Sequence, residues 1–200
     1  MGKRLNIGID VDGVIVDFVS AFRKEAEALL HREFPPFSSG WDFQNWGLTA
    51  AEHKAIWKQI ATTKDWFYDK PEPLPNALAG LHLLEAHYDL YFVTTRIETA
   101  GLPVREQTAA ALSDKCYVDF PSVIVSKDKG PVAAALGLSA FVDDKFENLQ
   151  QIAESSPATR IFIMDQTYNT DIKIPDNWTR VYSLVDFYNK LKGTDESSTK

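Results

Sequence analysis

The sequence predicts an α/β protein, a parallel sheet with helices on both faces and a small helical insertion after the first strand. Three observations predict it. Short runs of mostly β-branched or aromatic residues recur along the chain, as strands buried on both faces require. Helix-like segments with their own start and stop signals separate those runs. The stretch from Phe18 to about Pro75 breaks the alternation and holds four of the five tryptophans.

The first strand is read at Leu5–Ile9, an apolar run that ends in "DVDG". From Phe18 a helix sets Phe18, Phe22, Leu29 and Leu30 on one side. The loop-like "FPPFSSGWDFQNWG" follows, and Thr49 with Glu52 forms a capping box that opens "AAEHKAIWKQIA". "DWFYDKPEPLP" then leads back to the sheet. This insertion, with Trp41, Trp46, Trp57 and Trp66, is expected to pack over the carboxyl edge of the sheet.

Beyond it, Ala77, Leu81 and Leu84 recur at i, i+4, i+7 and mark a helix before a second strand at Leu90–Thr94. Pro103 opens the next helix, and a third strand is read at Ser122–Val125. Pro131 opens "VAAALG", which Gly137 closes, before strands at Ala140–Val142 and Arg160–Met164. The expected organisation is a core of residues 1–17 and 76–192, a helical cap of residues 18–75, and a disordered polar tail at 193–200.

A length of 200 residues suits one domain with such an insertion, and 44% hydrophobic with 24% charged residues is ordinary for a soluble globular protein. No run of eighteen apolar residues is present, which argues against a membrane span, and "MGKRLNIGID" shows no signal-peptide apolar region. Myristoylation at Gly2 lacks support, because Asn6 stands where Ser or Thr is needed. A single cysteine, Cys116, excludes an internal disulfide, reads as structural, and fits a reducing, cytoplasmic setting. The net charge of −7 without a Lys/Arg stripe argues against duplex nucleic acid, yet leaves room for a small anionic ligand. His31, His53, His82 and His87 show no metal-ligand spacing. The oligomeric state is not written in the sequence, and a homodimer stays open.

The chemistry gathers at the strand ends, where parallel sheets bind ligands. Asp10 and Asp12 follow the first strand, and Asp143 and Asp144 follow the fourth. If those strands are neighbours, the carboxylates crowd one crevice and need a counter-cation or raised pKa values. Either pair alone could merely cap a helix; both pairs together fit that reading poorly. Hard oxygen ligands without a nearby His or Cys pair favour Mg²⁺. The second strand ends in the hydroxyls of Thr94 and Thr95 and the cation Arg96, and the third in Lys127 and Lys129. A hydroxyl, a lysine and a metal converging on one point suit a phosphoryl group.

In that order, Asp10-Val-Asp12-Gly-Val, Thr94 after an apolar strand, a lysine at 127–129 and Asp143-Asp144 together resemble the haloacid dehalogenase (HAD) superfamily of aspartate-nucleophile phosphatases, over roughly residues 5–165. "DVDGVIVDF", "WFYDKPEPLPNAL" and "SKDKG…FVDD" are most similar to its 5'(3')-deoxyribonucleotidase family. The chain departs from that family's usual Thr-Ser-Pro with Thr94-Thr95-Arg96, and its cap spacing differs. The resemblance implies a HAD-like Rossmannoid core and a Mg²⁺-dependent nucleotidase acting on nucleoside monophosphates, deoxyribonucleotides first. Alternatives are a phosphatase for another ester, such as a sugar phosphate or a polynucleotide 3'-phosphate end, or a non-catalytic phospholigand-binding protein.

The resemblance also implies roles. Asp10 would be the nucleophile that forms an aspartyl-phosphate, and Asp12 the acid and base, holding a proton more tightly than Asp10. The metal would be held by the Asp10 carboxylate, the Asp12 backbone carbonyl and Asp144, with Asp143 behind it. Thr94 would bind phosphoryl oxygens, Lys129 (Lys127 in reserve) would be the lysine, and Gly13 would permit the turn. For the substrate, the aromatic candidates are Phe18, Trp46 and Trp57, with Phe43 and Trp66 as second choices. Thr95 and Arg96 adjoin the phosphate site, and Arg96 could contact a second anionic group or the sugar, or pair with a cap carboxylate.

Overall fold

A computed structural model describes residues 4–40 and 43–197, without the side chains of Gln44 and residues 194–197. Gly2, Trp41 and the last three residues of the expected tail lie outside the described residues. Six strands form one sheet: β1 Asn6–Ile9, β2 Asp89–Thr94, β3 Ser122–Val125, β4 Ala140–Asp143, β5 Arg160–Met164 and β6 Thr179–Val181. Their order is β3-β2-β1-β4-β5-β6, and every pair is parallel.

The order turns back at β1, so the chain winds one way through β2 and β3 and the other way through β4 to β6. Ile9 registers with Phe92 on one side and Val142 on the other. The two acid-bearing strands are therefore neighbours, at the switch point where open α/β sheets form a crevice. The first five strands fall within a residue of their expected positions. The sixth, only three residues reading Thr-Arg-Val, has too little period to stand out and is defined by its pairing with β5.

Alternation along β1 splits the core into two layers. Ile7 and Ile9 face one layer, with Leu81 and Leu84 of α4 (Ala77–His87) and Phe187 and Leu191 of α8 (Leu184–Ser197). The other face is packed by Val93, Phe141, Ile161 and Ile163. A side chain at Gly8 would lie 2.3 Å from the Phe141 ring, so the absent Cβ lets β4 close on β1. Helix α8 continues past Gly193 to Ser197, into the stretch expected to be disordered.

Between β1 and β2 run α1 (Phe18–Leu30), a 3₁₀ turn (Gln44–Trp46), α2 (Ala50–Thr62) and the short α3 (Trp66–Asp69). Asp17 caps α1 by accepting from Ser20 N, and Thr49 and Glu52 form the reciprocal capping box of α2. The insertion leaves and returns at one place, because Asp17 N donates to Glu72 O and Leu74 N to Ile15 O. Its aromatics and Ile56 and Ile60 pack into their own cluster, which also takes in Val104 of α5 (Val104–Cys116). Two further helices, α6 (Lys129–Leu136) and α7 (Phe146–Ser155), precede and follow β4. Helix α6 starts two residues before Pro131, because first-turn N–H groups have no intrahelical acceptor and proline is tolerated there. Gly137 closes it in the left-handed conformation, as expected.

Candidate active site

Where β1 ends, Asp10 N donates to Val142 O at 2.9 Å, extending the β1–β4 pairing by one residue. The chain then turns tightly: Ile15 N and Val16 N both donate to Val11 O, and Gly13 takes φ +76°. Val11 is buried in the core, which leaves Asp10 and Asp12 on the crevice side of it. A Cβ on Gly13 would lie 2.0 Å from Asp144 Oδ2, so only glycine lets this turn approach the acid of β4.

Four buried charges meet here. Lys129 Nζ lies 2.8 Å from Asp10 Oδ1 and 2.7 Å from Asp143 Oδ2. Asp10 Oδ1 also accepts from Val11 N at 2.7 Å. Asp143 is fully engaged by protein donors: Lys145 N reaches Oδ1 at 2.8 Å, and Asn148 Nδ2 reaches both oxygens at 3.1 Å. Asp144 differs. Its Oδ2 accepts from the Tyr168 hydroxyl, while its buried Oδ1 has no hydrogen-bond partner.

Asp10, Asp143 and Asp144 each offer an oxygen within 4.8 Å of the others. One ammonium against three buried carboxylates leaves uncompensated negative charge. Burial, then Asp143, pushes Asp10 up to about 7, despite Lys129. Burial, then Asp143 and Asp10, likewise raises Asp144 well above the carboxylate range. Burial works against the charge on Lys129, but Asp10 and Asp143 outweigh it and hold the ammonium above its ordinary value. The all-oxygen donor set and the orphaned Asp144 Oδ1 fit a hard divalent cation such as Mg²⁺.

Asp12 faces a different partner. Arg96 Nε donates to its Oδ2 at 2.8 Å and Nη2 to its Oδ1 at 2.7 Å, a bidentate pair. Thr94 Oγ1, fully buried, lies 3.4 Å from the same Oδ2. Arg96 Nη1 donates to Thr108 Oγ1 at 2.8 Å, and its guanidinium carbon sits 4.6 Å above the Phe67 ring. So the acid that Arg96 pairs with is Asp12 of the core, not a carboxylate of the insertion. Burial and Asp143 raise Asp10, while both Asp12 oxygens face the Arg96 guanidinium.

The crevice at these strand ends encloses about 870 Å³. Lys129, buried at its floor, is the lysine between the carboxylates; Lys127 is exposed on its lining. Thr95 also lines it, with its hydroxyl donating to Ser126 O at 2.7 Å. From the insertion come Phe18 and Trp57, whose rings stack with centroids 5.9 Å apart, and Phe67, which sequence reasoning had not singled out. Trp46 does not line the crevice. Its indole packs against Phe34 and Phe43 and donates to Phe37 O, which corrects its expected place against a ligand. Phe43, stacked on Phe22, and Trp66, bonded to Glu25, also belong to the interior of the insertion.

The loop after β5 is the other surprise. Asn169 Nδ2 holds Asp144 O and Met164 O, Gln166 Nε2 donates to Gly13 O, and Thr167 Oγ1 reaches Ser38 O in the insertion. Tyr168 comes from this loop, whose sequence "DQTYNT" carries no recognisable motif. Elsewhere, Cys116 is buried and its thiol is pushed up to about 11 by that burial, in keeping with a structural part. Among the described residues, no helix is long and apolar enough to cross a membrane.

The profile of the family described as 5' nucleotidase, deoxy (pyrimidine), cytosolic type C matches residues 4–192. A protein of Chlorobaculum tepidum, provisionally named a 5'(3')-deoxyribonucleotidase, is 23% identical over 184 residues, covering 90% of this chain and 89% of its own length. A haloacid dehalogenase-like family hydrolase from Xanthomonas campestris superposes with TM-score 0.61 at 14% identity, covering 99% of both chains. CbbY from Rhodobacter sphaeroides, solved in complex with phosphate, superposes with TM-score 0.55 at 14% identity, over 92% of this chain and 96% of that one.

Proposed function

We propose, for a chain that belongs to the 5' nucleotidase, deoxy (pyrimidine), cytosolic type C family and is a phosphatase of HAD-like fold, a Mg²⁺-dependent hydrolysis of nucleoside monophosphates, deoxyribonucleotides first, through an aspartyl-phosphate on Asp10. One observation carries the reading: Asp10, Asp143, Asp144 and Lys129 converge at the switch point of the sheet, beneath a crevice large enough for a nucleotide. The helical insertion acts as the cap.

Asp10, Asp144 and the backbone carbonyl of Asp12 would hold the ion, with Asp143 kept behind them by Lys129 and Asn148. When bound, the ion supplies positive charge to the phosphoryl oxygens and to the carboxylates around it. Lys129 anchors Asp10 by one oxygen, and Thr94 offers its hydroxyl beside the phosphoryl position. Asp10 attacks phosphorus, the ester P–O bond breaks, and the leaving oxygen takes a proton from Asp12. Water then attacks the phosphorus, passes a proton to Asp12, and breaks the bond to Asp10. Inorganic phosphate leaves, and both carboxyls return to their starting states. Phe18, Trp57 and Phe67 supply apolar ring surface for the nucleoside.

Phosphate release from a panel of ribo- and deoxyribonucleoside 5'- and 3'-monophosphates and sugar phosphates tests the substrate class. Preference for deoxyribonucleotides is expected; equal rates across the panel would remove the nucleotide assignment. Trapping with BeF₃⁻ tests the intermediate, and absence of an Asp10-dependent complex would remove the aspartyl-phosphate.

A further inference from the structure

Arg96 occupies a position in which a substrate-binding cation would have its donors free. It does not. Nε and Nη2 are committed to Asp12, Nη1 to Thr108, and the face of the guanidinium to Phe67, while the side chain is 1% exposed. Thr108 is itself anchored, its hydroxyl donating to Val104 O at 2.7 Å. A fork held by helix α5 on one side and an aromatic ring on the other has little freedom to turn. Both Asp12 oxygens are tied to that fork, so the plane of the carboxylate is set by Arg96.

We propose that Arg96 is a positioning residue for proton transfer: it fixes the carboxylate plane of Asp12 against the leaving oxygen of the ester. This rests on the reading of Asp12 as acid and base given above. Asp12 Oδ2 also faces the Thr94 hydroxyl at 3.4 Å, so the second acceptor site of Oδ1, beyond its bond to Arg96, is the one that carries the proton. A fixed plane aims that site at one point in the crevice, where the leaving oxygen must lie, and small misplacements of a proton-transfer group are costly. The Thr108 hydroxyl and the Phe67 ring hold the fork itself, so Arg96 links the acid to both α5 and the insertion.

The test is a series of substituted phenyl phosphates whose phenols span a wide range of acidity. The plot of log kcat/KM against leaving-group pKa is measured for the wild type, Arg96→Lys and Thr108→Val, with Mg²⁺ present and folding followed by circular dichroism. kcat/KM reports the steps up to loss of the phenol, where the proton is needed. Lysine keeps the charge but cannot form the fork. The slope is expected to steepen in Arg96→Lys, with about a 10²-fold loss at the poorest leaving group and a loss of only about threefold at the best. Thr108→Val should steepen it less.

Parallel lines, displaced equally at every substrate, would assign Arg96 a structural or substrate-holding part and overturn the proposal. Should Arg96→Lys fail to fold, Thr108→Val decides alone, and an unchanged slope there overturns it. An Asp12→Asn control separates the two levels. If that variant shows no leaving-group dependence of its own, the acid role of Asp12 fails; if it does and Arg96→Lys does not, only the present inference fails.

Discussion

The ammonium of Lys129 lies 2.8 Å from Asp10 Oδ1, and the side chain is buried. Its second contact, 2.7 Å to Asp143, makes it the one protein cation bonded to both the first and the fourth strand end among the described ion pairs. A buried pair of this kind adds little net stability when intact but is expensive to break, because the partner is left charged and unsolvated.

Lys129→Met should therefore destabilise the metal-free protein by about 3–5 kcal/mol at neutral pH, read from urea midpoints. The loss should shrink as pH falls, since Asp10 can then neutralise by taking a proton. Lys127→Met removes an exposed charge and should shift stability by no more than about 0.5 kcal/mol. Equal effects of the two substitutions would contradict the placement of Lys129 between the carboxylates.

Asp10→Asn removes the proposed nucleophile with almost no change of shape. Phosphate release should fall below about one-thousandth of wild type, as nucleophile removal does in covalent catalysis. Stability should move the other way. The substitution deletes one of three crowded carboxylates, so the metal-free variant should melt a few degrees higher than the wild type above pH 7. Undiminished turnover would end the mechanism, and a lower melting temperature would show that Lys129 matters more to Asp10 than Asp143 does.

Much of this site is legible in the sequence. Two acids at the end of an apolar run, Asp10 and Asp12, and two more after a second run, Asp143 and Asp144, point in the sequence to one acidic crevice, and β1 and β4 prove to be neighbours. Resemblance to the family's Asp-Lys pattern, through Asp128-Lys129, also favours Lys129 over Lys127. What sequence hides is pairing across distance. Arg96 meets an acid 84 positions away, and Tyr168 one 24 positions away from a loop without a motif. The insertion hides its interior for another reason: helical period shows which residues are apolar, but a small aromatic-rich unit has apolar residues both inside and against the crevice. Trp46 and Trp57 look alike in sequence and part company only in three dimensions.

Proton linkage gives the crevice a pH signature. Asp10 is raised from an ordinary 3.8 to about 7, so between those values the folded chain holds a proton that the unfolded chain has released. Stability of the metal-free protein from this group therefore falls as pH rises from about 4 to about 7, and Asp144 acts in the same direction. The proposed divalent ion would reverse the balance, because it would bind the ionised carboxylates and release their protons. The rise in melting temperature on replacing EDTA by Mg²⁺ should be small at pH 5 and grow through pH 7.5. A rise independent of pH would detach the ion from Asp10 and Asp144.

The two tryptophans allow the lining of the crevice to be tested apart from the packing of the insertion. Trp46 is 5% exposed and fills the space among Phe22, Phe34 and Phe43, so Trp46→Leu leaves a void and loses the bond to Phe37 O. A cost of about 3–5 kcal/mol is the upper range for truncating such a ring to alanine, and leucine should cost about 2 kcal/mol. Once folded, that variant should bind substrate with an unchanged KM, because the indole does not reach the crevice. Trp57 is half-buried, stacks on Phe18 and lines the crevice, so Trp57→Ala exposes less core and removes more contact surface. Its KM for a nucleoside monophosphate should rise about tenfold or more, as loss of one base-stacking ring does at about 1–3 kcal/mol, while its KM for phenyl phosphate should change less. If instead Trp46→Leu raises KM and Trp57→Ala leaves it alone, the nucleoside lies on the far side of the insertion, and the crevice between Phe18 and Arg96 holds only the phosphate.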